Sequence, residues 1–446
     1  MPEATQPPQL VRRGYRYRIY PTAEQQQYLA INFGCARYVY NAMLAEATTA
    51  YNRHGEAVQL HNQQHIDLLV AAGMDELDAA SAVPSYDGTA PSVHTNHFAN
   101  QISKMRKHPD TPWLADASAV ALQQAARDLG SAYSHYFQRI KAAKSGPLPG
   151  LKAALQSKPR YRSRKRKQSI RLPVGEFSLR DQLLRLPKLP DGIKVVWSRE
   201  LPSAPSQVTV SKDTDGAYYV TFLCARELRP TNGLGITGID VGIHVLMTTS
   251  TTDASGVSTA EILNTRRMAA SASRLAILQR KLARCKLGSN RFHRQRSRVA
   301  SLHQHVRNQR TAYLHHWTSQ LIRENQAICV ESLQVQQMMQ SHLAGLIADA
   351  SWATIAQMLR YKAEDSAWCT IVVAPPYYPS TQLCSSCSNK ASPPVQLGIN
   401  SWQCSCGATH NRDINAAHNL RQLAIQSRAL WAMQPGATVQ LNLHSR

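Results

Sequence analysis

Tyr15, Tyr17 and Ile19 alternate with Arg16, Arg18 and Tyr20, a period of two that predicts a strand. Pro21-Thr22 stops it. Thr22-Ala-Glu-Gln25 then sets a hydroxyl N-cap three residues before a glutamine, the capping-box order, so a helix should start here. Leu29, Phe33, Ala36, Tyr40 and Leu44 follow at helical spacing. Residues 52–95 lose the pattern and carry His, Asp, Gly, Ser and Pro, which reads as short helices and loops. A second strong helix is predicted from Ala117 to Lys144, with Leu122, Ala125, Leu129, Ala132, Tyr136 and Ile140 on one face, ended by Gly146-Pro-Leu-Pro-Gly150. Residues 1–10 have no pattern and are expected to be disordered.

The second half reads differently. Ile193-Lys-Val-Val196, Gln207-Val-Thr-Val210 and Tyr218-Tyr-Val-Thr-Phe222 are strand-like, with a turn at Asp213–Gly216 and a Pro/Asn/Gly linker over 228–233. Ile236-Thr-Gly-Ile-Asp240 is a buried strand with a hairpin partner at Val245–Thr249. Residues 262–323 look helical, with Leu275, Leu278 and Leu282 in phase. Ala327-Ile-Cys-Val330 is a short strand ending at Glu331. A helix over 343–365, a strand over 371–374, a cysteine cluster, a last helix to about Leu430 and a polar tail complete the chain. There are no internal repeats. Alternating strands and helices after residue 234 predict an α/β domain, preceded by a helical lobe set among β segments.

At 446 residues, the chain is long enough for several domains. Lys and Arg number 51 against 28 Asp and Glu, a formal net charge of +23. That excess suits a polyanion partner, because each phosphate neutralised releases counterions. Two blocks concentrate it. Residues 158–171 hold Arg160, Arg162, Arg164, Lys165, Arg166 and Lys167 with no acid between, and 266–310 include Arg280, Lys281, Arg284, Arg291 and Arg294. Charge runs are commonly just solvated helix faces, but here no opposite charges stand beside them. The blocks are therefore read as phosphate-binding. Tyr15, Tyr17 and Tyr20 suit packing better than base stacking. No apolar run reaches 18 residues and no apolar signal region opens the chain, so a cytoplasmic location without membrane attachment is expected.

Three acids stand in unusual places. Asp240 and Glu331 each end an apolar strand, and Asp413 opens the final helix in Arg412-Asp-Ile-Asn-Ala-Ala417. Each alone is an ordinary strand-end or cap residue. Together, in so basic a chain, they could converge to hold two Mg²⁺ ions, which suit oxygen donors and clamp both oxygens of a phosphodiester displacement. Cys384-Ser-Ser-Cys387 and Cys404-Ser-Cys406 form two close pairs, the pattern of a structural Zn²⁺ ribbon. The second pair has one spacer residue instead of two, and His410 is an alternative ligand. Cys35, Cys224, Cys285, Cys329 and Cys369 read as core residues.

With these residues in view the chain resembles the TnpB family of RNA-guided nucleases from insertion sequences, relatives of compact type V CRISPR effectors. Tyr17-Arg-Ile-Tyr-Pro21 and Gly34-Cys-Ala-Arg-Tyr-Val-Tyr-Asn41 match the family's opening. Gly238-Ile-Asp-Val-Gly242 and Val330-Glu-Ser-Leu333 resemble its first two RuvC-type motifs, and Cys404 to Asn419 its zinc ribbon running into the third. The resemblance implies a multidomain α+β protein. A wedge β-barrel would comprise 1–20 and 158–233, with a helical recognition lobe over 21–157 inserted. An RNase H-like, RuvC-type α/β nuclease domain would take 234–383 and 408–430, with a zinc ribbon at 384–407 and a polar tail at 431–446. It further implies that Asp240, Glu331 and Asp413 are the catalytic, Mg²⁺-holding triad, and that the partners are a guide RNA and double-stranded target DNA cut beside a short adjacent motif. The alternatives are a compact CRISPR effector, a guided DNA-binding regulator that does not cut, and a metal-dependent transposase.

Overall fold

The computed structural model describes residues 10–144, 155–189, 191–228, 233–396 and 398–441. The breaker at 146–150, most of the linker at 228–233 and residues 1–9 lie outside them. The chain forms two compact units, 12–225 and 226 onward, the latter with residues 10–11.

In the first unit, seven strands form one sheet: β1 (Leu10–Ile19), β2 (Gln168–Pro173), β3 (Ser178–Arg180), β4 (Leu183–Arg185), β5 (Ile193–Val196), β6 (Gln207–Lys212) and β7 (Tyr218–Glu227), in the order β2-β6-β7-β1-β5-β4-β3. The predicted alternation in β1 is real: Tyr17 and Ile19 are buried, whereas Tyr20 stays exposed. Tyr17, Trp197 and Phe222 pack ring on ring, with Trp197 and Phe222 stacked at 5.6 Å. β6 and β7 form the expected hairpin around Asp213–Gly216. No ladder joins the sheet's ends β2 and β3 among the described residues, so the pairing is that of an open sheet.

The capping box at Thr22 forms, with the Gln25 N–H bonding the Thr22 hydroxyl and the Thr22 N–H bonding Gln25 Oε1. The helix it starts runs from Ala23 to Ala71, well into the region 52–95 where short helices and loops are expected. The hydrophobic pattern faded because burial ends at Ala47, while the chain beyond is a solvent-facing helix with Gly55 its only strong breaker. Helices Thr95–Lys107 and Ala119–Lys144 pack nearby, the latter burying Leu122, Ala125, Leu129 and Tyr136 on its predicted face.

In the second unit, β8 (Gly235–Val241), β9 (Val245–Asp253), β10 (Gly256–Leu263), β11 (Asn325–Val330), β12 (Thr370–Val373) and β15 (Thr438–Gln440) form a sheet ordered β10-β9-β8-β11-β12-β15. The first three form an antiparallel meander, and β8, β11, β12 and β15 are parallel. Parallel strands are covered on both faces, which explains their continuous apolar runs. Alternate residues of β11 serve the two sides. Ile328 joins Leu314, Leu321, Ile355 and Leu359 from the helices Asn290–Glu324 and Trp352–Ser366. Ala327 and Cys329 join Leu420 and Ala424 of the helix Arg412–Gln426. A small hairpin, β13 (Ser401–Gln403) and β14 (Thr409–Asn411), stands before that helix.

Three expectations need correction here. The helix expected over 343–365 is two, Ala344–Ala350 and Trp352–Ser366, broken at Ser351 in the left-handed region. The break leaves Asp349 to accept the N–H groups of Met268 and Ala269, at the start of the helix Arg267–Ala283. The last helix likewise divides into Arg412–Gln426 and Arg428–Ala432. The polar tail contributes β15, three residues too few to show a period. Cys35, Cys224, Cys329 and Cys369 are buried as expected, and Cys285 is only partly so.

Candidate active site

Register brings the first two acids together. Val330 of β11 lies opposite Ile239 of β8, so the next residues, Glu331 just past β11 and Asp240 near the end of β8, stand side by side. Asp413 comes from the first turn of the helix Arg412–Gln426, whose N-cap is Asn411, its side chain accepting the Asp413 and Ile414 N–H groups at 3.0 and 3.1 Å. The cap role weighed for Asp413 thus belongs to Asn411, and Asp413 is free to face the other acids. Gly238 sets how closely this helix approaches. A Cβ there would fall 2.2 Å from the Ala417 carbonyl oxygen and 2.3 Å from the Arg421 nitrogen. The motif glycine therefore exists for backbone contact.

The acids feel one another. Burial, then the charges of Glu331 and Asp413, push the Asp240 carboxyl well above its usual range, with Arg412 opposing. Burial and the Asp413 charge also raise Glu331, opposed by the Ser380 hydroxyl, which donates to Glu331 Oε1 at 2.5 Å. Arg412 bonds Asp413 at 3.2 Å. Three mutually repelling oxygen donors at the edge of a buried sheet are the chemistry a hard divalent cation relieves. Among the described residues the acids do not gather within 4.8 Å as the cysteines do. A cavity of about 410 Å³ opens beside Glu331, lined among others by Ile239, Trp352, Gln357 and Arg360.

The sulfurs of Cys384, Cys387, Cys404 and Cys406 all lie within 4.8 Å of one another. Cys384 and Cys406 are 3.7 Å apart and Cys387 and Cys404 3.6 Å. A tetrahedron of about 2.3 Å Zn–S bonds has edges near 3.8 Å, which these two separations match. The thiols share their protons unevenly: the Cys406 backbone N–H and the neighbouring thiols draw Cys404 down, while at Cys387 the Asn389 N–H is outweighed by burial and the neighbouring thiols, which push it up. The one-residue spacer is absorbed by a tight turn, where the Gly407 N–H bonds the Cys404 carbonyl and Gly407 takes a positive φ. His410 is not one of the four. Its Nε2 lies 3.0 Å from Cys384 Sγ, beside the cluster and paired across the hairpin with Trp402.

The basic segments are resolved residue by residue. Arg162 places its guanidinium 3.9 Å over the Tyr40 ring and bonds Asp128 at 3.1 Å, while its backbone exchanges two hydrogen bonds with the Asn41 side chain. Arg171 also pairs with Asp128. Arg162 thus anchors the segment, with its charge already used. Arg37, which sequence reasoning missed, bonds Gln168 Oε1 at 2.6 Å, and burial followed by the Arg164 charge lowers its guanidinium. Arg37, Arg160, Arg166 and Lys167 line a cavity of about 380 Å³ that has no acid in its wall. Arg164 and Lys165 are exposed, as are Arg280, Lys281, Arg284, Arg291 and Arg294 of the second unit, and no ion pair engages any of these seven among the described residues. No described helix is long and apolar enough to cross a membrane.

Comparison with known proteins adds an independent line. The family model described as "Probable transposase" (OrfB of IS605) matches residues 207–342, a "Helix-turn-helix domain" of the same group matches 11–56, and a "Cas12f1-like, TNB domain" matches 352–420. A protein of Streptomyces pristinaespiralis named "Putative RNA-guided DNA endonuclease" is 32% identical over 420 residues, covering 92% of this chain and 89% of that one. The Escherichia coli K12 "Putative RNA-guided DNA endonuclease InsQ" is 27% identical over 72% of this chain and 79% of its own. A solved structure titled "Cryo-EM structure of the Cas12f1-sgRNA-target DNA complex" aligns over 92% of this chain and 99% of that one at 13% identity, with a TM-score of 0.45. The extent and identity of the Streptomyces match, together with the family models spread along both units, establish that the chain belongs to the TnpB (IS605 OrfB) family.

Proposed function

We propose that this protein is an RNA-guided DNA endonuclease that hydrolyses phosphodiester bonds at an RNase H-like, RuvC-type site. The observation that carries this is the convergence of Asp240, Glu331 and Asp413 from two parallel strand ends and one helix start. The strand order β10-β9-β8-β11-β12, an antiparallel meander continued by parallel strands, supports an RNase H-like domain over 234–383 and 408–430, with the ribbon at 384–407. The open seven-stranded sheet with its inserted helices supports a wedge domain of 1–20 and 158–233 carrying a recognition lobe at 21–157.

Asp240, Glu331 and Asp413 would hold the catalytic divalent cations, whose chemistry when bound is to stabilise charge on the attacking and leaving oxygens. The raised affinity of Asp240 and Glu331 for protons shows how unfavourable their joint ionisation is without a cation. Arg412 holds Asp413 from the side, and Ser380 holds Glu331. Arg37, Arg160, Arg166 and Lys167, with Arg164 and Lys165, would bind phosphates in the first unit, and Arg280, Lys281, Arg284, Arg291 and Arg294 in the second. Each contact adds sequence-independent affinity, while base pairing with the guide reads the target and the protein reads a short adjacent motif. The Cys384, Cys387, Cys404 and Cys406 set would hold one structural zinc.

Reconstitution with an altered guide segment tests the reading. Cleavage should move to the newly matched DNA and vanish without RNA. Equal cutting of matched and unmatched duplexes, or full activity after RNase treatment, would reject it.

A further inference from the structure

The zinc ribbon and the acid site share one buried hydrogen-bond network. Ser380, 3% exposed, donates its hydroxyl to Glu331. Its carbonyl accepts from Asn419 Nδ2 at 2.7 Å and from Asn415 Nδ2 at 3.5 Å. Both asparagines also donate to the Leu383 carbonyl, at 2.7 and 2.8 Å. Asn415 Oδ1 accepts the N–H of Ser385 at 2.9 Å, inside the Cys384–Cys387 knuckle. Asn415 is 1% exposed and Asn419 6%. They lie one turn apart on the helix that begins with Asp413, so they share a face.

Buried amides this well satisfied hold a single arrangement, because any slip leaves donors or acceptors unpaired away from water. The helix that carries Asp413 is therefore keyed to the first zinc knuckle, and Ser380, in the segment just before that knuckle, aims Glu331. We infer that Ser380 is a positioning residue for Glu331, and that Asn415 and Asn419 transmit the fold of the zinc knuckle to the acid site, so that the ribbon sets the geometry of the catalytic carboxylates. Groups that orient metal ligands typically matter by 10–100-fold in affinity or rate. This rests on the proposed role of the three acids.

The test uses the full-length protein with its copurified RNA and compares Ser380→Ala, Ser380→Thr, Asn415→Ala and Asp240→Ala. The readouts are zinc content, Mn²⁺ affinity from spin-resonance titration, DNA binding and single-turnover cleavage. Ser380→Ala should keep zinc and DNA binding while Mn²⁺ affinity and cleavage fall about 10–100-fold. Ser380→Thr, which restores a hydroxyl, should recover most of both. Asn415→Ala should weaken Mn²⁺ binding although it touches none of the acids. Mn²⁺ affinity and cleavage within twofold of wild type in Ser380→Ala, or a threonine variant no better than alanine, would overturn the positioning role. An Asn415→Ala protein with unchanged Mn²⁺ affinity would overturn the transmission. If Asp240→Ala also leaves Mn²⁺ affinity unchanged, the acid-site reading itself fails.

Discussion

Gly238→Ala is the most demanding test of how the active site is assembled, because the mutated position bears no reactive group. The added Cβ would sit 2.2 Å from the Ala417 carbonyl oxygen and 2.3 Å from the Arg421 nitrogen, both backbone atoms of the helix Arg412–Gln426. A relaxed carbon–oxygen contact is about 3.3 Å, so the helix must retreat by about 1 Å. Overpacking of this kind costs about 1–3 kcal/mol. For a unit of this size that lowers Tm by about 2–12 °C, from a slope of about 2–4 °C per kcal/mol. The functional loss should be larger than the stability loss implies, since Asp413 rides on the displaced helix, and a 1 Å misplacement can cost about 100-fold in rate. Single-turnover cleavage of matched DNA, far below the melting transition, should therefore fall by about two orders of magnitude while guide RNA and DNA binding persist. Cleavage within threefold of wild type would refute the idea that close packing of this helix on β8 places the third acid.

Asp240→Ala should abolish cleavage and leave nucleic-acid binding nearly intact, because removing a negative charge does not weaken contact with a polyanion; cleavage within tenfold of wild type would exclude it as a metal ligand. Metal-free protein should be stabilised by Asp240→Asn at neutral pH. Asp240 has a raised folded-state pKa, so the wild type loses stability as pH climbs from the ordinary carboxylate value of 3.8 toward the raised one, and the Tm gap between variant and wild type should close as pH falls back to that value. Elemental analysis should find about one zinc per chain, Cys387→Ser should release it, and His410→Ala should retain it, since four thiols already complete the tetrahedron. Replacing Arg164, Lys165, Arg166 and Lys167 with Ala should weaken RNA retention and reduce the salt dependence by up to roughly four phosphate contacts, whereas Arg162→Ala should act mainly on stability through Asp128 and Tyr40; an equal salt-slope change from Arg162→Ala alone would contradict that division.

The features legible in the sequence are those whose physical cause is local. A two-residue period makes β1, a capping box starts the helix at Ala23, apolar runs make β8 and β11, and pairs of cysteines announce a ribbon. The three acids stood out because each follows or opens such an element. What remained hidden depends on a partner far along the chain. The length of the helix to Ala71 escaped because its distal part buries no residue fully, although His54 and His61 reach the Pro84–Tyr86 segment, and so shows no periodicity. Arg37 bonds a glutamine 131 residues later, and Asn415 a knuckle 30 residues earlier, so nothing near either residue announces its role. His410 was a plausible ligand by spacing, and only the closure of four sulfurs around one point set it beside the cluster instead. Arg162 belongs to a basic run by composition, yet its charge meets Asp128, a residue on the helix Ala119–Lys144. Sequence periodicity reports which side of an element is buried. Register, helix approach and the satisfaction of buried polar groups decide which distant atoms then meet, and these are properties of the packed chain alone.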